Sequence, residues 1–221
     1  MQCYADLRER LVAEQIEARG VRDPRVLSAM RSVPRELFVP KQLRDEAYDD
    51  MALPIGAGQT ISQPYIVAYM VEALALQGGE KVLEVGTGSG YAAAVLSKIA
   101  SEVFTIERIG ELAQLAVTSL ADAGINNVHV RLGDGTEGWA DEAPFSAILV
   151  SAGAPGVPNP LMQQLKVGGH LVVPVGADQR HQELVRVTRV GDDEFEHEYI
   201  AAVRFVPLIG REGWAQCISH P

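Results

Sequence analysis

Cysteine is scarce in this chain and poorly placed for chemistry. Of 221 residues only Cys3 and Cys217 carry thiols, one near each end. Two cysteines so far apart match neither a zinc site nor a C-x-x-C redox motif, so two free thiols in a reducing compartment are expected. No group of ligand-type side chains stands at metal-binding spacing, and no metal is expected. Apolar runs are short: none reaches 18 uninterrupted residues, so no membrane-spanning helix is read. Asp6, Arg8, Glu9 and Arg10 come too early for a signal peptide. Positive charge is also in deficit. Nineteen Lys plus Arg against 29 Asp plus Glu leave a net charge of −10, with no long basic run, which argues against nonspecific nucleic-acid binding. Internal repeats and low-complexity tracts are missing as well. The expectation is a cytoplasmic monomer without nucleic-acid or membrane partners.

What is present is an ordinary globular composition, 47% apolar and 22% charged. A chain of this length forms one domain able to bury about 70% of its unfolded surface. Residues 6–19 read as an amphipathic helix carrying Leu7, Leu11 and Ile16, stopped by Gly20. Asp23-Pro24 opens a second helix that breaks at Val33-Pro34. Residues 38–62, with Pro40, Pro54, Gly56 and Gly58, read as loops and turns. Residues 63–76 read as a helix, with Val67, Met70, Val71 and Leu74 on one face. From Lys81 onward strands and helices alternate: strands at 81–85, 102–106, 128–132, 146–151 and 170–175, helices at 91–100, 110–123 and 159–166. That alternation is the signature of an α/β, doubly wound, mostly parallel sheet. Two further strands, 183–190 and 199–207, are expected to be antiparallel. The domain 1–221 is thus divided into a helical cap with a loop (1–79), a Rossmann-like core (80–210) and a loose tail (211–221).

The most informative segment is Leu83-Glu84-Val85-Gly86-Thr87-Gly88-Ser89-Gly90-Tyr91, between a strand and a helix. Glycines at such a turn let a ligand approach backbone N–H groups without a Cβ in the way. A dinucleotide fingerprint is G-x-G-x-x-G, shaped for a pyrophosphate. Here the glycines alternate and follow acidic Glu84, which suits a cationic ligand without phosphates, S-adenosyl-L-methionine. Glu107, about 20 residues on at the next strand end, is placed for ribose hydroxyls, with Arg108 beside it. Asp134 in Gly133-Asp134-Gly135, after the third strand, is placed for an adenine amino group. Each signal has a plainer alternative: a tight loop, a solvated strand end, a turn residue. Their order along successive strand ends favours a class I S-adenosylmethionine-dependent methyltransferase core over an NAD-dependent dehydrogenase or a binding module that has lost catalysis.

A second motif, Leu53-Pro54-Ile55-Gly56-Ala57-Gly58-Gln59-Thr60-Ile61-Ser62-Gln63-Pro64, leads into the helix at 63–76. Ser62 reads either as a helix N-cap or as a hydroxyl that, with the helix N-terminus, cradles a carboxylate.

LPIGAGQTISQP, VLEVGTGSGY and GDG together closely resemble the protein-L-isoaspartate O-methyltransferase family, and the likeness extends over roughly residues 30–210, through VPRELFVP (33–40) and VRFVPL (203–208). The resemblance implies methyl transfer from S-adenosyl-L-methionine to the α-carboxylate of L-isoaspartyl and, more weakly, D-aspartyl residues in damaged proteins and peptides, with S-adenosyl-L-homocysteine as product. It implies Ser62 as the active-site serine. It places Thr60, Ile61, Gln63, Glu84, Gly86, Thr87, Gly88, Ser89, Gly90, Glu107, Arg108, Asp134 and Gly135 around the cofactor. Gln59, Thr60, Ser62, Tyr65, Val206 and Pro207 fall at the substrate. Three positions depart from the family pattern: Ser146 for aspartate, Ser151 for threonine and Gly153 for alanine. Ser146 is expected at the start of a strand, away from the ligand. A carboxyl methyltransferase for one dedicated peptide or small molecule is the alternative.

Overall fold

The structure, a computed structural model, describes residues 3–215, so Cys217 and the rest of the tail lie outside the described residues. Seven strands form one sheet: β3 (Lys81–Val85), β4 (Glu102–Glu107), β5 (Val128–Leu132), β6 (Phe145–Val150), β7 (Leu165–Val175), β8 (Gln182–Arg189) and β9 (Phe195–Val203). Their spatial order is β5-β4-β3-β6-β7-β8-β9, and β1 (Leu53–Gly56) with β2 (Gln59–Ile61) makes a separate antiparallel hairpin. The first five strands of the large sheet run parallel, while β8 and β9 pair antiparallel in sequence order. The strand order and pairing make the doubly wound, mostly parallel α/β sheet that the sequence predicts.

Burial follows from this order. β3, β4 and β6 are covered on both faces and read as nearly continuous apolar runs. Alternate residues feed two cores: Val82, Val103, Leu149 and Val172 on one face, Leu83, Phe104, Ile148 and Leu171 on the other. The first core also takes Leu11, Ile16, Met30 and Phe38, so the N-terminal segments pack directly on the sheet. Two of the four parallel pairings involve β3, and the chain turns to one side of it with β4 and to the other with β6. The carboxyl ends of β3 and β6 therefore bound a crevice at a topological switch point, the usual ligand position in such sheets.

Several boundaries differ from expectation. The first helix is α1 (Tyr4–Leu11), followed by a π-helical turn (Val12–Ile16) and a 3-10 turn (Glu17–Arg19). Core residues Leu11 and Ile16 are five apart, and the wider i→i+5 turn keeps both buried where a regular α-helix would rotate one away. α2 spans Pro24–Ser32, with Asp23 as its N-cap, and α3 spans Pro64–Ala73. The supposed loop 38–62 contains the β1–β2 hairpin, turned through Gly56, Ala57 and Gly58, all with positive φ. α4 (Tyr91–Leu96), α5 (Gly110–Asp122) and α6 (Asn159–Gln163) fill the crossovers. Because α6 ends early, β7 begins five residues before its expected start. β9 is displaced toward the N-terminus for two reasons. The turn before it is tight, with Val190 N–H bonded to the Glu194 carbonyl at 2.9 Å. Beyond Val203 the chain leaves β8, and Val206 accepts from Gly153 N–H instead, at 2.8 Å. The tail expected to be loose is docked as far as Trp214, whose indole N–H donates to the Gly153 carbonyl at 2.9 Å.

Candidate active site

The crevice walls come from strand ends. After β3 the chain turns at Gly86 (φ 91°), where an added Cβ would face Ser151 at 3.6 Å. Gly135 lies flat on β3: a Cβ there would meet Val85 Cγ1 at 2.4 Å, so no side chain fits. Glu107, at the end of β4, is 5% exposed and not the solvated strand end of the plainer reading. Its carboxylate accepts from Gly88 N–H at 2.9 Å and from Ile109 N–H at 3.0 Å, tying the glycine turn to the entrance of α5. Ser89 is 2% exposed, and its hydroxyl is buried in the same turn without a partner among the described residues. A glycine cradle, an unpaired buried hydroxyl and a carboxylate at the next strand end fit a small cationic nucleoside.

Glu84 is completely buried. Its carboxyl accepts from Thr105 Oγ1 at 2.6 Å, and Thr105 in turn lies 2.6 Å from Thr87 Oγ1. With Glu84 ionised the chain runs Thr87→Thr105→Glu84; with Glu84 protonated the carboxyl can donate to Thr105 and the chain reverses. Burial pushes Glu84 up to about 8, with the nearby Glu107 charge adding to the shift and the Thr105 bond opposing it. At neutral pH the carboxyl therefore keeps its proton, which corrects the expectation of a standing negative charge. In this state the side chain anchors the strand end.

Asp134 also differs from expectation. Its Oδ1 accepts from Thr136 N–H at 2.9 Å and Thr136 Oγ1 at 2.7 Å, while Oδ2 accepts from Arg211 N–H at 2.8 Å. Burial alone would raise its pKa, but these bonds outweigh it and hold the carboxylate below its usual range. Asp134 thus pins the C-terminal turn and does not line the crevice, whereas Gly135 does.

On the other side stands the loop of β2 and α3. Ser62 is half-buried, and its hydroxyl makes no hydrogen bond among the described residues. It is not the helix cap. The N-terminus of α3 is capped from a distance by Asp50, whose Oδ1 accepts from Tyr65 N–H at 2.9 Å. Asp50 Oδ2 also accepts from Gln63 Nε2 at 2.7 Å and from Arg19 Nη1 at 2.6 Å. The helix end expected to attract a substrate carboxylate already holds one. Tyr65 does not face the cleft: its ring lies under the Arg19 guanidinium, 3.6 Å from the centroid, and stacks on Tyr69. One residue on, a turn of about 100° puts Ile66 in the cleft wall instead.

These parts surround three connected spaces. An open cleft of about 870 Å³ is lined by Thr60, Ser62, Gln63, Ser151, Val206 and Pro207, with Arg180 and Arg204 at its far wall. A narrower channel runs past Gln59, Gly86, Gly88, Glu107, Arg108 and Gly135. A small recess between them holds Ile61, Ser62, Glu84, Thr87, Gly88 and Ser89. Thr60 and Ser151 line all three, and Ser62 joins cleft to recess. Gly90, with φ 91°, lies behind the turn against Leu120 and Ala116 rather than in any of the three. Ser146 sits at the start of β6, remote from these spaces, as expected. Gly153 leaves room for the Gln182 amide, which a Cβ would meet at 2.3 Å.

The sequence profile of the protein-L-isoaspartate(D-aspartate) O-methyltransferase (PCMT) family matches residues 6–213. The chain belongs to that family. Protein-L-isoaspartate O-methyltransferase 1 of Rhodopseudomonas palustris strain HaA2 is 63% identical over 218 residues, covering 99% of this chain and 89% of the relative. A solved protein-L-isoaspartate O-methyltransferase is 30% identical with a TM-score of 0.84, over 93% of this chain and 67% of that one. A Plasmodium falciparum structure assigned to the same activity, in complex with S-adenosyl-L-homocysteine, shares the fold at TM-score 0.80 and 24% identity, over 91% and 98% of the two chains. Family membership makes the chain an S-adenosylmethionine-dependent methyltransferase. Among the described residues no group of His, Cys, Asp and Glu is placed to hold a metal, and no helix is long and apolar enough to cross a membrane.

Three contributors escaped the sequence reading. Ser151 was noted only as a departure. Asp50 and Gln182 carry no local signal, because their partners Arg19, Gln63, Tyr65 and Phe205 lie 13 to 31 residues away.

Proposed function

We propose that Ser62 orients the carboxylate that receives the methyl group, in a chain that methylates L-isoaspartyl and, more weakly, D-aspartyl residues of damaged proteins and peptides. As in the family, the methyl donor is S-adenosyl-L-methionine, and S-adenosyl-L-homocysteine is the product. A free α-carboxyl, with a pKa near ~3.5, is ionised at neutral pH, so no general base is needed. What the chain must supply is alignment and exclusion of water. The Ser62 hydroxyl donates to one carboxylate oxygen. Gln59, Thr60, Val206 and Pro207 flank the substrate backbone. Gly86, Thr87, Gly88 and Ser89 would hold the methionine end of the cofactor, Glu107 its ribose hydroxyls and Gly135 its adenine, and the cofactor bound there would supply the methyl group. Thr60, Ile61 and Gln63 close the loop over the junction. Transfer turns the carboxylate into a methyl ester and the sulfonium into a thioether, so both charges are neutralised together. The next backbone amide nitrogen then displaces methanol from the ester to close a succinimide, and water opens that ring in part to normal aspartate.

The observation that carries this reading is the unpaired Ser62 hydroxyl at the meeting point of cleft and recess. Residues 1–79 act as a cap on the core within one domain, supported by the shared hydrophobic core of the two parts. The acidic balance of the chain supports a monomeric, cytoplasmic enzyme that engages neither nucleic acid nor membrane. The test is methyl transfer from labelled cofactor to two peptides of one sequence, with isoaspartate or aspartate at a single position. Base-labile label on the isoaspartyl peptide alone is the expected result. Label on neither, with the cofactor still bound, would transfer the activity to a dedicated carboxylate.

A further inference from the structure

Asp50 is 9% exposed at its side chain, yet it is neither in the cleft nor in the cofactor channel. It collects three segments. Arg19, at the end of the π-bulged first helix, donates to Oδ2; Tyr65 N–H, in the first turn of α3, donates to Oδ1; and Gln63 Nε2 reaches both Oδ2 and the Asp50 carbonyl, the latter at 3.0 Å. Gln63 and Tyr65 flank Pro64 directly after Ser62, so the course of the chain at Ser62 is set by where Asp50 sits.

Asp50 is itself held by a buried cation. Arg35 has no exposed surface, donates through Nε to the Ala47 carbonyl at 2.8 Å and through Nη2 to the Met51 carbonyl at 3.3 Å, and lies over the Tyr91 ring. Those carbonyls bracket Asp50. Arg35 therefore fixes the loop, the loop presents Asp50, and Asp50 locks the backbone on which Ser62 is carried. By filling the positive end of α3, the same carboxylate leaves Ser62 and local N–H groups as the donors for an incoming carboxylate.

We infer that Asp50 is a positioning residue for methyl transfer, acting through Ser62. The inference rests on the reading of Ser62 as the residue that orients the substrate carboxylate. Loss of Asp50 leaves the cofactor channel intact but lets the Ser62 backbone drift, and small misplacements of an aligning group are costly.

The experiment compares Asp50→Ala, Asp50→Asn, Ser62→Ala and the double variant Asp50→Ala/Ser62→Ala, reading kcat and KM on an isoaspartyl peptide and the Kd for S-adenosyl-L-homocysteine. Asp50→Ala is expected to lower kcat at least about tenfold while the Kd stays within about twofold. Asp50→Asn keeps an oxygen for Tyr65 N–H and recovers to within about threefold of the parent. In the Ser62→Ala background, Asp50→Ala is expected to add less than about twofold, because both changes remove one alignment. A purely structural Asp50 would lower stability and leave this coupling at zero. If Asp50→Ala does not fold, Arg19→Ala, which removes one partner and leaves the helix cap, is expected to lower kcat about two- to fivefold, with the same coupling to Ser62. Parent-like kcat in folded Asp50→Ala, full additivity with Ser62→Ala, or a Kd that weakens in proportion would overturn the inference. Parent-like kcat in Ser62→Ala would instead remove the reading of Ser62 on which it stands.

Discussion

The two sides of the crevice are built by opposite means. The proposed cofactor side is backbone: glycines at 86, 88 and 135 bring the chain close, and the strand ends they follow are fixed by a parallel sheet buried on both faces. The proposed substrate side is side-chain electrostatics. The loop at residues 47–51 and the start of α3 are held by Arg19, Arg35 and Asp50, whose hydrogen-bond partners come from separate parts of the first 65 residues. Close-packed backbone tolerates almost no added volume. An ion-pair network tolerates volume but depends on charge and on each partner being present. The cofactor seat should therefore fail sterically, and the substrate loop should fail when a charge or a donor is removed.

The largest effect is expected at Gly135. Gly135→Ala puts a methyl group 2.4 Å from Val85 Cγ1 in a strand that cannot move, and overpacking of this kind costs about 1–3 kcal/mol. Thermal melting and cofactor binding should both deteriorate, whereas a well-folded variant with parent affinity would show that the approach to β3 is looser than described.

Next comes Glu107. Glu107→Ala removes the acceptor for Gly88 N–H as well as the proposed ribose contact, and a hydrogen bond to a charged group is worth about 1.5–3 kcal/mol. Calorimetry with S-adenosyl-L-homocysteine should show about ten- to hundredfold weaker binding. Equal affinities would take Glu107 out of the site.

A further effect concerns pH. The Glu84 carboxyl is raised in the folded chain from about 4.5 to about 8. Its unfolded form ionises first, so its contribution to stability is complete below about 4.5, declines as pH rises through the interval and is lost above about 8. Glu84→Gln keeps the shape without the titration. Its urea midpoint should fall less between pH 5 and pH 8 than that of the parent, and parallel profiles would mean that Glu84 is already ionised when buried.

The same contrast explains what was legible in the sequence. Glycines and alternating apolar segments are local signals, so the parallel core, the turn at Gly86 and the strand-end position of Glu107 were readable. The family likeness supplied Ser62. Cap geometry was not readable, because remote carboxylates hold it: Ser62 looked like a helix cap until Asp50 occupied that role, and Tyr65 looked like a substrate contact until Arg19 covered its ring. Asp134 had the right position in the chain but points to Arg211, a partner 77 residues away. The π turn at Val12–Ile16 could be inferred only with knowledge that Leu11 and Ile16 are both buried.

The central claim is that alignment of the acceptor and binding of the donor are separate tasks of separate regions. The measurement that tests it most directly pairs steady-state kinetics on an isoaspartyl peptide with calorimetric S-adenosyl-L-homocysteine binding, both on Ser62→Ala. The account predicts kcat lower by at least about tenfold with a Kd unchanged within about twofold. Parent-like turnover, or a loss of affinity that matches the loss of kcat, would contradict it.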